Sequence, residues 1–228
     1  MELATPVLEA RDLVFSRSVD DRDIRVLDGV SLTLDTGDVV ELRGPSGVGK
    51  TTLLRALARL LPGMSGELSL GGEPASEIPA QVWRTRVALL PQRAALGAGT
   101  VAYNLAFPFT LAVRERIVPP TTDEFRSAMD GLGLDDVSLE RDVRQLSVGQ
   151  SARVALLRVL LTRPKVLLLD EPDASLDDVS AALLAGATAR FAAAGGVLVR
   201  VSHLRADADA TRRLTLAHGR LEEAADAH

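Results

Sequence analysis

Residues 42–53 read LRGPSGVGKTTL: three glycines, a proline, a serine, one lysine and two threonines between two apolar runs. Positions Gly44, Pro45, Ser46, Gly47, Val48, Gly49, Lys50 and Thr51 fit the spacing G-x-x-x-x-G-K-S/T. A strand-like DVVELR precedes them and a helical KTTLLRALARLL, residues 50–61, follows, stopping at PGMSG. Glycine lets backbone N–H groups converge on phosphate oxygens, and the helix N-terminus adds unpaired donors and a favourable dipole. Lys50 then supplies a point charge and Thr51 a hydroxyl for a hydrated Mg²⁺, with Thr52 beside them in the binding set. A tight strand-to-helix turn with a snorkelling lysine would explain the glycines, but not the whole spaced pattern.

Outward from this loop, VLLLDEP at residues 166–172 ends a buried apolar run in two adjacent carboxylates. Asp and Glu are seldom buried without a partner, so Asp170 fits the water shell of Mg²⁺ and Glu171 fits a group that polarises an attacking water. By themselves the two would equally suit the cap of the next helix. Three smaller signals are each ambiguous: Gln92 suits a solvated turn, His203 a strand-end cap, and LSVGQ, residues 146–150, a serine N-cap opening a helix.

The periodicity organises the rest. Three strands are expected in residues 7–43, with SRSVDDRD as a polar turn between the first two; further strands are expected at 66–72, 86–92, 165–170 and 195–203, and a helix at 149–161. Helix, buried strand, helix, buried strand implies α/β architecture with a parallel sheet. Pro108 and Pro119-Pro120 interrupt a mixed region before Leu146, and the Ala/Asp-rich end EEAADAH is expected to fray. The chain has 228 residues, which suits one domain with an inserted lobe. Its net charge of −5 comes from intermixed residues, so no basic stripe marks a nucleic-acid surface. Cysteine is absent, which excludes disulfides and thiolate metal sites. No leader pattern opens the sequence and its apolar runs fall far short of a bilayer, so direct membrane insertion is not expected.

In order along nearly the whole chain, GPSGVGKT, Gln92, LSVGQ, LLLDEP, the SLD of residues 175–177 and the SH of 202–203 resemble the ATP-binding cassette (ABC) family. The resemblance implies a P-loop NTPase with a RecA-like core and an antiparallel β subdomain, residues 1–92 and 162–228, and a helical subdomain at about 93–161. It implies ATP and Mg²⁺ as cofactors and a head-to-tail homodimer with two ATP molecules sandwiched between subunits. Thr51, Gln92 and Asp170 would be Mg²⁺ ligands, Glu171 the general base and His203 the γ-phosphate sensor. Ser147, Val148, Gly149 and Gln150 would face the partner's ATP, and Asp177 would link the two sites. Val148 departs from the usual glycine, and its side chain is expected to point away from the nucleotide. Arg17 stands where an aromatic usually stacks on adenine, a contact its guanidinium plane can replace.

The lobe lacks the long heptad insertion of chromosome-maintenance and repair ATPases, so the resemblance favours a transporter subunit. That implies a multi-spanning permease partner and a peripheral place on the cytoplasmic face of the cell membrane, with no nucleic acid bound. The segment TVAYNLAFPF, residues 100–109, resembles the two-component group assigned to iron export. Amino-acid, phosphate and lipoprotein-release cassettes share the same core. A nucleic-acid-associated cassette would be stimulated by DNA or ribosomes, and a P-loop kinase would yield a phosphorylated acceptor.

Overall fold

The computed structural model describes residues 5–19, 22–93, 95–174, 176–202 and 209–223. The chain begins with strands β1 (Leu8–Val19), β2 (Arg22–Leu34) and β3 (Val39–Arg43), then helix α1 (Lys50–Leu57), strands β4 (Ser65–Leu70) and β5 (Glu73–Pro74), helix α2 (Ala80–Arg86) and strand β6 (Val87–Leu90). Helices α3 (Val101–Ala106), α4 (Thr122–Asp130) and α5 (Val148–Leu160) follow, then β7 (Val166–Asp170), α6 (Asp178–Ala193), β8 (Val197–Val201), β9 (Arg212–Ala217) and β10 (Arg220–Glu223). They form an antiparallel sheet ordered β2-β1-β4-β5 and a six-stranded sheet ordered β10-β9-β3-β8-β7-β6, parallel except for β10.

Strand β7 shows why the parallel sheet is sandwiched. All five of its residues are buried. Val166 and Leu168 join the apolar cluster shared with β1, β2, β4 and α1, while Leu167 and Leu169 join the cluster shared with α3 to α6. Successive side chains point to opposite faces, so an unbroken apolar run can satisfy two layers. The registers Leu42↔Val201 and Asp170↔Val201 bring the carboxyl ends of β3, β8 and β7 level, which is where such sheets bind ligands.

Several boundaries differ from the expectations above. Within the expected turn, residues 16–19 and 22–23 are strand: Ser16↔Arg25, Arg17↔Ile24, Ser18↔Asp23 and Val19↔Arg22 extend the β1–β2 ladder beyond the core, while Asp20 and Asp21 lie outside the described residues. The residues of this extension are polar because both faces of the ladder there meet water. Helix α1 stops at Leu57, four residues early, because Arg59 turns left-handed at φ 53° and Arg59 and Leu60 donate back to Ala56 and Arg55. The wholly buried Trp83 supports that stop by donating Nε1 to Leu57 O at 2.9 Å. Helix α5 starts one residue early, at Val148, and ends at Leu160. Strands β9 and β10 were not foreseen. Glu222 and Glu223 do not fray: they pair with Thr215 and Leu214, and Glu223 accepts two bonds from Arg212. Residues 224–228 lie outside the described residues.

Candidate functional site

The loop between β3 and α1 closes around its own lysine. Lys50 is buried, and its Nζ donates to Gly44 O at 2.8 Å and Pro45 O at 3.0 Å. The glycines at the two ends of the loop are required by packing. A Cβ at Gly44 would lie 2.4 Å from Leu216 O on β9, and one at Gly49 would lie 2.6 Å from Val26 Cγ1 on β2. Both also hold positive φ, 143° and 114°. The neighbouring strands therefore hold the loop close from two sides, and Val48 N–H bonds back to Pro45 O. Ser46 and Gly47 are exposed at its tip.

Asp170 ends β7 beneath this loop, buried, and its Oδ1 accepts from Thr51 Oγ1 at 3.1 Å. Burial raises its carboxyl above the ordinary range, against the Thr51 hydrogen bond. Burial likewise lowers Lys50, while Glu171 and Asp170 pull the other way. Glu171 leaves the strand with φ 49°, a left-handed conformation that a glutamate adopts only when its surroundings enforce it. Its N–H donates to Val201 O, and its Oε2 accepts from Gln92 Nε2 at 2.7 Å. Five expected residues, Lys50, Thr51, Gln92, Asp170 and Glu171, thus share one site.

Among the described residues no three His, Cys, Asp or Glu side chains cluster as a protein-only metal cage. Thr51 Oγ1 and Asp170 Oδ1 instead offer two hard oxygens side by side. That suits Mg²⁺, which keeps several waters and takes substrate phosphates as its other ligands.

Other expected residues lie apart from the phosphate loop. Ser147 N-caps α5 in a reciprocal box: Gln150 N donates to Ser147 Oγ at 3.1 Å, and Ser147 N to Gln150 Oε1 at 3.0 Å. Gln150 Nε2 also donates to Asp136 Oδ2. The cap foreseen as the simpler explanation of LSVGQ is therefore present. Val148 is 66% exposed at the first turn of that helix. Val148→Gly is accordingly expected to cost about 0.5 kcal/mol or less of helix stability and to leave hydrolysis by the isolated chain nearly unchanged, as a phosphate-release assay would show.

Gly149 abuts α6, where a Cβ would lie 2.4 Å from Ser180 Oγ. Asp177 N-caps α6, accepting from Ser180 N. Arg17 is exposed opposite Ile24, with no carboxylate partner among the described residues. Thr52 is half-buried on α1. His203 and Ser175 fall outside the described residues. Sequence reasoning missed Ser180 and the buried Arg153 that donates to it, although the D-x-x-S spacing of Asp177 and Ser180 is a recognisable N-cap pattern.

Comparison with known proteins agrees with this geometry. Residues 27–174 match the family described as ABC transporter. The protein STAR1 of Oryza sativa subsp. japonica is 38% identical over 201 residues, covering 88% of this chain and 56% of STAR1. The probable iron export ATP-binding protein FetA of Escherichia coli K12 is 32% identical over 178 residues, covering 78% of this chain and 76% of FetA. The structure of a bacterial Atm1-family ABC exporter with ATP bound superposes with TM-score 0.82 at 25% identity, over 98% of this chain and 39% of the exporter. The chain thus spans little more than half of STAR1 and well under half of the exporter. With a glycine loop, strand-end carboxylates and a family match over 148 residues, from 27 to 174, the chain belongs to the ABC transporter family and has the ABC ATPase fold.

Proposed function

We propose that this chain is the ATP-hydrolysing subunit of a transporter, working as a head-to-tail pair beneath a separate multi-spanning permease. The observation that carries this is the 2.7 Å bond from Gln92 Nε2 to Glu171 Oε2 beside the buried Lys50 and the Thr51–Asp170 pair. Residues 44–52 would bind the triphosphate of ATP, with Lys50 exchanging two backbone carbonyls for phosphate oxygens. Thr51, Asp170 and Gln92 would hold hydrated Mg²⁺, whose charge neutralises the phosphates. Glu171, oriented by the bond from Gln92 Nε2, would accept a proton from the attacking water. Arg17 would lie under adenine, His203 would sense the γ-phosphate, and Ser147, Val148, Gly149, Gln150 and Asp177 would reach the facing subunit's ATP. Residues 1–92 and 162–228 would form the core with its β subdomain, and about 93–161 the helical subdomain.

A groove of about 470 Å³ lies between α2 and the turn after α3, lined by Gln81, Arg84, Pro108, Leu111, Arg114 and Val159. Phe107, 42% exposed, and the half-buried Phe109 flank Pro108 beside it. This is the place proposed for a permease segment, which would hold the chain on the cytoplasmic face of the membrane. Among the described residues no helix is long and apolar enough to cross a membrane itself. Replacing both phenylalanines by serine is expected to abolish co-purification with the permease while sparing ATPase activity of the isolated chain. A lowered melting temperature with unchanged permease binding would instead make them part of the lobe's own packing.

Iron is the proposed cargo, supported by TVAYNLAFPF and by the similarity to FetA. The reading of the reaction is tested by phosphate release from Mg-ATP with the purified chain. Free phosphate with no phosphorylated acceptor and no stimulation by DNA is expected. A stoichiometric phosphorylated acceptor would make the chain a kinase.

A further inference from the structure

The first turns of α5 and α6 meet at one hydroxyl. Ser180 is buried, its Oγ donates to Asp177 Oδ2 at 2.8 Å, and its N–H donates to Asp177 Oδ1 at 2.8 Å. The same Oγ accepts from Arg153 Nη1 at 3.1 Å. Arg153 is buried too, without a carboxylate at salt-bridge distance among the described residues, so its charge meets that of Asp177 only through this hydroxyl. A buried guanidinium left without such a link is costly. One helical turn before Arg153, on the same face, Gly149 leaves the space that Ser180 fills: a Cβ there would lie 2.4 Å from Ser180 Oγ and 3.2 Å from Ser180 Cβ.

An ordinary N-cap needs only the bond from Ser180 N to Asp177. The hydroxyl adds a second bond to the same carboxylate and a third to another helix. The two bonds that Ser180 donates, the backbone N–H first and the hydroxyl second, hold the Asp177 carboxyl below its usual range.

We infer that Ser180 is a positioning residue that clamps the Ser147–Gln150 turn to Asp177, so that both reach the facing subunit's ATP as one rigid piece. The inference rests on the two-subunit arrangement proposed above. It accounts for Gly149 through packing inside one chain, where the resemblance accounts for it through the nucleotide alone.

The test uses the full chain carrying Glu171→Gln, with dimer formation followed by light scattering as Mg-ATP is titrated, and Mg-ADP affinity measured by calorimetry on the same samples. Adding Ser180→Ala is expected to raise the ATP concentration at half-dimerisation about tenfold, in line with the loss of hydrogen bonds to charged groups, with Mg-ADP affinity within about twofold of the parent. Gly149→Ala is expected to prevent dimerisation, and Ser180→Gly, which removes both clashing atoms, to restore part of it. If Ser180→Ala dimerises at the parent's ATP concentration and only its melting temperature falls, Ser180 is a helix cap and the clamp is refuted. Failure of Ser180→Gly to relieve Gly149→Ala refutes it as well. If the Glu171→Gln parent itself stays monomeric in Mg-ATP, the two-subunit arrangement fails and the clamp with it.

Discussion

Glu171→Gln is expected to bind Mg-ATP as the parent does and to release phosphate about 10²–10⁴-fold more slowly, the usual worth of a positioned general base. The substitution keeps the shape of the side chain, and the carboxamide retains an oxygen for Gln92 Nε2, which now reaches Glu171 Oε2 at 2.7 Å. The left-handed φ of 49° and the N–H bond to Val201 O belong to the backbone and survive the change. What is lost is the proton acceptor, together with the negative charge that favours the protonated form of Lys50. At roughly 1.4 kcal/mol per tenfold in rate, the expected effect is about 3–5 kcal/mol on the barrier. Single-turnover phosphate release beside nucleotide calorimetry separates the two steps, and parent-like turnover would remove Glu171 from the role of base.

Lys50→Ala should act on binding instead. The ammonium is buried against Gly44 O and Pro45 O, and burial already disfavours its charged form. That desolvation is endured in the free chain and becomes useful only when phosphate oxygens replace the carbonyls. Charge-assisted bonds are worth about twice neutral ones, and hydrogen bonds to charged groups about 1.5–3 kcal/mol each. A loss of about 10²-fold or more in ATP affinity is therefore expected by calorimetry. Affinity equal to the parent's would mean that the loop is a structural turn whose lysine merely closes it.

Much of the site was legible because its chemistry is local. The glycine loop, the paired carboxylates and the alternation in VLLLD each need only a few consecutive residues, and the structure brings Lys50, Thr51, Asp170, Glu171 and Gln92 together. Most of what was missed depends on partners distant in the chain. The end of α1 is set partly by Trp83, twenty-six residues beyond the carbonyl it caps. The reason for Gly44 is a carbonyl of β9, and for Gly49 a side chain of β2. The β1–β2 ladder continues through residues whose polarity signals solvent, not turn. The β9–β10 hairpin turns at His218-Gly219, both with positive φ, and the alternation of buried Leu214 and Leu216 with half-buried Thr215 and Ala217 was present in the sequence but went unread. The spacing of Asp177 and Ser180 showed at most a helix cap; the bond from Arg153 and the close approach of Gly149 needed α5 and α6 to be seen in contact.

The central claim is that a complete hydrolytic site takes one half from each of two chains: the Lys50 loop from one, the Ser147–Gln150 turn from the other. The most direct test is steady-state phosphate release from saturating Mg-ATP, measured over a hundredfold range of chain concentration. Turnover per chain is predicted to rise with concentration and then level off as pairs fill, and to stay near zero throughout for Ser147→Arg. Turnover per chain that is constant from the lowest concentration upward, in parent and Ser147→Arg alike, would show a site complete in a single chain and contradict the account.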